Sequence, residues 1–214
     1  MSSSAAVAEL LAYGRERIAR WRVAALVLGV AALACTAQAP RGPVDVLVRT
    51  TLAALLVATF RLWDDLADSD HDRARHPDRV LVRSARTRCF WFVLLALAGI
   101  ALCAVGVFAG PTGLSLYAIL ILLLVFVYHG PWPRPARFMR DQLVLLKYPV
   151  FIAMLTTEGF SWRSTLFGAI AYLLVSVFDW RDDVALRVNG VGRRLGVVLA
   201  VAVVIFFSLA AGRG

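Results

Sequence analysis

The sequence is poor in what a water-soluble domain needs on its surface. Charged residues fill 17% of its 214 positions, there is a single lysine, Lys147, and glutamate occurs three times. Against that scarcity stand a 60% share of apolar residue types and a mean hydropathy of +0.75. An ordinary soluble fold is excluded, and with it any sizeable catalytic domain outside a bilayer. Cysteine is scarce and odd in number: Cys35, Cys89 and Cys103 have no CxxC spacing and lie in or beside apolar runs. That argues against a disulfide framework or a thiolate metal site and for buried thiols. The three histidines show no zinc spacing. There is no internal repeat, low-complexity tail or long linker, so residues 1–214 are expected to form one membrane-embedded domain.

What is abundant is apolar sequence punctuated by arginine. About 20 apolar residues cross a bilayer as a helix, and seven runs of suitable character occur, at residues 21–39, 44–63, 89–109, 112–128, 143–157, 164–180 and 195–212. The expected fold is therefore an all-α, polytopic membrane helical bundle of about seven transmembrane helices. Residues 5–22 carry Arg15, Arg17, Arg20 and Arg22 among apolar positions and read as an amphipathic amino-terminal helix lying in the interface. The TAQA stretch resembles a signal-peptide cleavage site, but Pro40 and the charged lead-in argue for a retained helix.

The net charge of +9 is a topological signature. A nucleic-acid binder needs its basic groups on a water-exposed face, whereas here they fall between the apolar runs. Eighteen basic residues lie in the amino-terminal segment and alternate loops, against Arg41, Arg163 and Arg213 on the other side. The positive-inside rule then places the amino terminus in the cytoplasm of a multi-pass cell-membrane protein, with no nucleic-acid partner.

Nine of the 14 acidic residues fall in two places. The first is Asp64, Asp65, Asp68, Asp70, Asp72 and Asp78; the second is Asp179, Asp182 and Asp183. Each begins where an apolar run ends on the arginine-rich side. On a helix Asp64 or Asp65, Asp68 and Asp72 share one face, as do Asp179 and Asp183. Like charges at this spacing repel, which makes a bound cation a natural compensation. Carboxylate oxygens suit Mg²⁺, which is commonly shared with substrate phosphates. The competing expectation is that these aspartates pair with the neighbouring arginines in a solvated loop. Lys147, about five residues inside an apolar run, costs a few kcal/mol as a bare charge. It reads either as a contact to a substrate diphosphate or as a snorkelling anchor, and Arg49 shares that ambiguity. Among the aromatic residues, Phe178 and Trp180 flank the second aspartate group and suit a pocket for an apolar chain that develops positive charge.

These residues resemble the UbiA superfamily of intramembrane prenyltransferases. The family signature NDxxDxxxD is similar to DDLADSDHD, with Asp64 at the Asn position and Asp65, Asp68 and Asp72 matching; HPDR, with Arg79, is similar to its continuation. The second signature, DxxxD, is matched by Asp179 and Asp183. The resemblance implies two facing aspartate motifs that hold Mg²⁺ and the diphosphate of a polyprenyl donor, with Asp64, Asp65, Asp68, Asp72, Asp179 and Asp183 as metal ligands. Arg75, Arg79 and Lys147 would bind the diphosphate. Asp68, Asp72, Asp183 and Lys147 would carry the reaction, in which diphosphate leaves and an acceptor captures the allylic cation.

The chain departs from the family in three ways. Its seven runs compare with the usual nine spans, so the carboxyl-terminal pair is expected to be missing, a gap for membrane lipid or another copy in a homo-oligomer to fill. Asp64 replaces Asn, and the Tyr that some members carry four residues before the fifth-span lysine is absent. The leading expectation is transfer of a prenyl group to a lipophilic, aromatic acceptor. A terpene cyclase of the same superfamily shares every aspartate named, and a non-catalytic membrane scaffold is the reading from another class.

Overall fold

A computed structural model describes residues 3–130 and 137–182, without the side chains of residues 3, 4, 71, 75, 137–139 and 178–182. Among the described residues every regular element is helical: α1 (Ser3–Tyr13), a π-turn (Gly14–Ile18), α2 (Trp21–Ala37), α3 (Pro43–Ala67), α4 (Ser69–Arg75), α5 (Val80–Arg83), α6 (Thr87–His129), α7 (Arg137–Leu145), α8 (Lys147–Leu155) and α9 (Trp162–Asp182). The run expected to cross at 195–212 lies outside them. The described chain divides into two compact units. One comprises Met1–Leu28 and Thr50–Ala104; the other comprises Gly29–Arg49 and the described residues from Val105 onward.

Two helices, α3 and α6, are long and apolar enough to cross a bilayer. A third candidate is the pair Ala5–Ile18 and Trp21–Ala37, bent by 66°. The outward face of α6 is apolar, with Phe92, Ile100, Val107, Ile119 and Leu122 exposed, a surface that matches hydrocarbon better than water. Cys103 lies on that face and is exposed, while Cys35 and Cys89 are half-buried. The expectation of buried thiols is thereby corrected: hydrophobicity alone does not separate a side chain facing hydrocarbon from one facing protein.

Helix α6 is broken where the third and fourth apolar runs meet. Gly110 takes φ 62°, ψ −154°, and Pro111 follows. A side chain built on Gly106 would meet Leu114 at 3.0 Å, whereas a straight helix would separate those two residues by about 12 Å along its axis. The chain therefore doubles back at Gly110, and Gly113 sits in the crook. A Cβ there would come within 2.5 Å of the Ala109 Cβ and 2.9 Å of a Val105 methyl. Gly113→Ala is expected to lower stability by about 1–3 kcal/mol, read as a fall in the thermal midpoint in detergent. Gly99→Ala, with nothing within 4 Å of the added methyl, should leave the midpoint unchanged or raise it.

The fifth expected span, 143–157, is two helices. α7 ends at Leu145 and α8 starts at Lys147, each nine residues long, too short for either to cross alone. Pro149 explains the break: it offers no N–H, and its ring would clash with the carbonyl four residues back, which belongs to Leu145. In the first turn of a new helix the same proline is harmless. All of α8 but the half-buried Val150 is buried, and it lies close to α9, where a Cβ on Gly168 would be 3.1 Å from the Pro149 Cα. α9 starts on a reciprocal cap: Ser161 N donates to Ser164 Oγ at 2.8 Å and Ser164 N to Ser161 Oγ at 3.2 Å, which satisfies two amide groups the helix leaves unpaired.

Candidate functional site

The first aspartate group sits where α3 gives way to α4. Although helical geometry lapses at Asp68, the hydrogen-bond ladder does not. Asp68 N donates to the Asp64 carbonyl and Asp72 N to the Asp68 carbonyl, both at 2.9 Å, and His76 N to the Asp72 carbonyl at 2.7 Å. Asp64, Asp68 and Asp72 thus keep their i, i+4 register and share one face. Asp64 and Asp68 are half-buried, and Asp72 is buried beside Arg79, with which it forms an ion pair. Arg75 is the last residue of α4.

Asp65 is turned into the protein, 6% exposed. Tyr13 Oη and Arg17 Nε each donate to its Oδ2 at 2.8 Å, a terminal Arg17 nitrogen donates to Oδ1, and Arg61 Nε lies 3.7 Å from Oδ1. A two-pronged guanidinium contact of this kind is the strong form of a charge-assisted hydrogen bond. Asp70, with its side chain 93% exposed, meets Arg73 at 3.2 Å, an exposed pair worth little. Asp65, Asp70 and Asp72 each pair with an arginine, as the competing expectation has it for those three. Among the described residues no three Asp, Glu, His or Cys side chains gather closely enough to hold an ion on their own. The donor chemistry of Asp64, Asp68 and Asp72 fits Mg²⁺ only as a shared ion, completed by phosphate oxygens, which is the usual way this ion is bound. Asp65 differs from them in that both of its oxygens accept hydrogen bonds from the amino-terminal segment.

Sequence reasoning read residues 5–22 as an interfacial helix and missed their ties to this site. Val80 N donates to Glu16 Oε2 at 2.9 Å, while Ser84 Oγ and an Arg86 nitrogen each donate to Glu9 at 2.6 Å. Tyr13 also meets Phe90 edge-on, with ring centroids 5.5 Å apart. The available signal was the spacing of Glu9, Tyr13, Glu16 and Arg17, which recurs every three or four residues as one face of a helix does.

Comparison with protein-family models, curated proteins and solved structures finds no match to this chain. The likeness to intramembrane prenyltransferases rests on the aspartate motifs themselves.

Lys147 and the second aspartate group belong to the other unit. Lys147 opens α8, is 2% exposed, and its Nζ lies 5.5 Å from the centre of the Tyr148 ring. Nearby in sequence, buried Gln142 accepts a hydrogen bond from Tyr172 Oη of α9 at 2.9 Å. Asp179 follows Tyr172 by seven residues and buried Ser176 by three on α9, so the three share a helix face. The side chains of Phe178, Asp179 and Trp180, and Asp183 altogether, lie outside what the structure describes.

Arg49, ambiguous in sequence, has a structural role. It is 2% exposed and donates to the Ala34 and Gln38 carbonyls at 3.2 and 2.8 Å, to the Gln38 side chain at 3.2 Å, and to both Asp45 oxygens at 3.2 and 3.0 Å. It caps the carbonyl end of α2, where helix carbonyls lack partners. Arg49→Met is expected to cost about 2 kcal/mol, measured by thermal unfolding in detergent, with catalytic constants of the remaining folded protein unchanged.

Proposed function

We propose that this chain is an Mg²⁺-dependent intramembrane prenyltransferase that ionises a polyprenyl diphosphate and passes the prenyl group to a lipophilic, aromatic acceptor. The observation that carries the reading is the Asp64–Asp68–Asp72 ladder, held in register at the end of an apolar helix long enough to cross a membrane, with Arg79 on its last carboxylate. In this reading the fold is a seven-span bundle of the UbiA type with its active site on the cytoplasmic side. Asp64, Asp68 and Asp72, with Asp179 and Asp183 from the second motif, would hold the ion, and Asp65 serves the framework. When bound, Mg²⁺ offsets the negative charge that develops on the departing diphosphate.

The chain's own cations do complementary work. Arg79, Arg75 and Lys147 would orient the diphosphate and stabilise the charge gathering on its oxygens as the allylic C–O bond lengthens. Phe178 and Trp180 would line the prenyl pocket, and apolar walls keep water from the cation. Asp68, Asp72, Asp183 and Lys147 are the residues whose loss should stop turnover.

The test is incubation of the detergent-purified protein with Mg²⁺ and short to long prenyl diphosphates, with and without aromatic acceptors, followed by mass spectrometry of organic extracts. An adduct that forms only with acceptor supports the transferase. A cyclic hydrocarbon or alcohol formed from donor alone replaces it with a cyclase. No Mg²⁺-dependent loss of any donor refutes both and leaves a scaffold.

A further inference from the structure

We propose that the amino-terminal helix and its π-turn act as a strap that sets the first aspartate ladder, with Arg17 and Tyr13 as positioning residues for the diphosphate site; this rests on the function proposed above. Three sets of contacts, all within one compact unit, carry the inference. Arg17 and Tyr13 engage both oxygens of Asp65. Glu16 accepts from the amide of Val80, the residue after Arg79. Glu9 holds Ser84 and Arg86 beyond the short helix α5. The strap therefore touches the chain immediately before and immediately after the segment that bears Asp68, Asp72 and Arg79.

The physical consequence follows from helix geometry. Asp65 is the neighbour of Asp64 in a ladder whose register runs unbroken to His76. Fixing the Asp65 carboxylate fixes the rotation of the end of α3, and with it the face on which Asp64, Asp68 and Asp72 stand. The three carboxylates repel one another and by themselves favour fraying of the helix end. A buried, two-pronged guanidinium contact resists that fraying more firmly than solvent-exposed pairs can. The π-turn, closed by Ala19 N donating to the Gly14 carbonyl at 2.8 Å, lies on the same segment as Arg17 and Glu16, and such turns are frequent at functional sites. Arg17 does not touch the reacting atoms in this account. It acts through Asp65.

The experiment compares the full chain with Arg17→Met, Arg17→Lys and Tyr13→Phe by hydrogen exchange over residues 64–80, and by kcat, KM for geranylgeranyl diphosphate and the Mg²⁺ concentration giving half-maximal rate. Arg17→Met is expected to speed exchange over 64–80 about tenfold and to raise KM and the Mg²⁺ requirement by about the same factor. Arg17→Lys should recover part of each, and Tyr13→Phe, the mildest change, should move each by about threefold even if Arg17→Met proves unstable. Faster exchange confined to residues 3–18, with 64–80 and both constants as in the parent, overturns the strap. Faster exchange at 64–80 in a protein whose parent turns over no prenyl diphosphate overturns the reaction while leaving the strap in place.

Discussion

Replacing Asp68 by alanine is expected, on the function proposed, to lower Mg²⁺-dependent turnover of prenyl diphosphates by about 10³-fold, whereas Asp70→Ala, two residues away, should leave it within about twofold of the parent, as expected for an exposed charge. The contrast comes from placement. Asp68 is the middle rung of the ladder, its amide bonded to Asp64 and its carbonyl to Asp72. Asp70 projects into solvent with 93% of its side chain exposed and meets only Arg73 among the described ion pairs. Removing a carboxylate that would hold the ion costs far more than removing one screened by water. Equal losses in both variants, or none in either, would mean that the run of aspartates is a solvated charge patch. Rates are to be compared at saturating Mg²⁺, so that a weakened ion site is told apart from slower chemistry.

The second large effect is at Lys147. Lys147→Met should reduce kcat/KM by about 10²-fold, measured per folded molecule. Methionine keeps most of the buried stem and removes the ammonium; because removing one member of a buried polar contact strands the other, the thermal midpoint is expected to fall as well. A snorkelling anchor would lose stability alone, with kcat/KM of the folded protein kept. Lys147 is 2% exposed at the first position of a helix buried everywhere but at Val150, a place where a charge is costly unless it is paired.

The fold was legible wherever hydropathy and local punctuation agree. Helix α3 and the two arms of α6 follow from long apolar runs, and the reversal between the arms is written as Gly110–Pro111. The i, i+4 register of Asp64, Asp68 and Asp72 was legible because spacing alone sets it. What spacing cannot reveal is which carboxylate finds which cation across long stretches of chain. Asp65 pairs with Arg17, 48 positions away, a contact that the aspartate motif does not announce. Arg49 is a second case: two of its acceptors are carbonyls at the end of α2, and backbone acceptors leave no mark in a residue pattern. The fifth run misled for another reason. Hydropathy averages over side chains and is blind to the amide hydrogen that Pro149 lacks.

That missing amide reaches back to how the protein is made. A nine-residue helix gives a translocation channel too little apolar length to recognise, so α8 cannot enter the bilayer as an independent unit during synthesis. Its backbone breaks are tolerable at membrane depth only where protein surrounds them, and α9, which lies against it, is synthesised afterwards. In the seven-span bundle proposed, integration of residues 137–182 should therefore wait until α9 has left the ribosome and then proceed as one event. In a nascent-chain pulling assay this region would register as a single late release of tension, without a separate signal for α8.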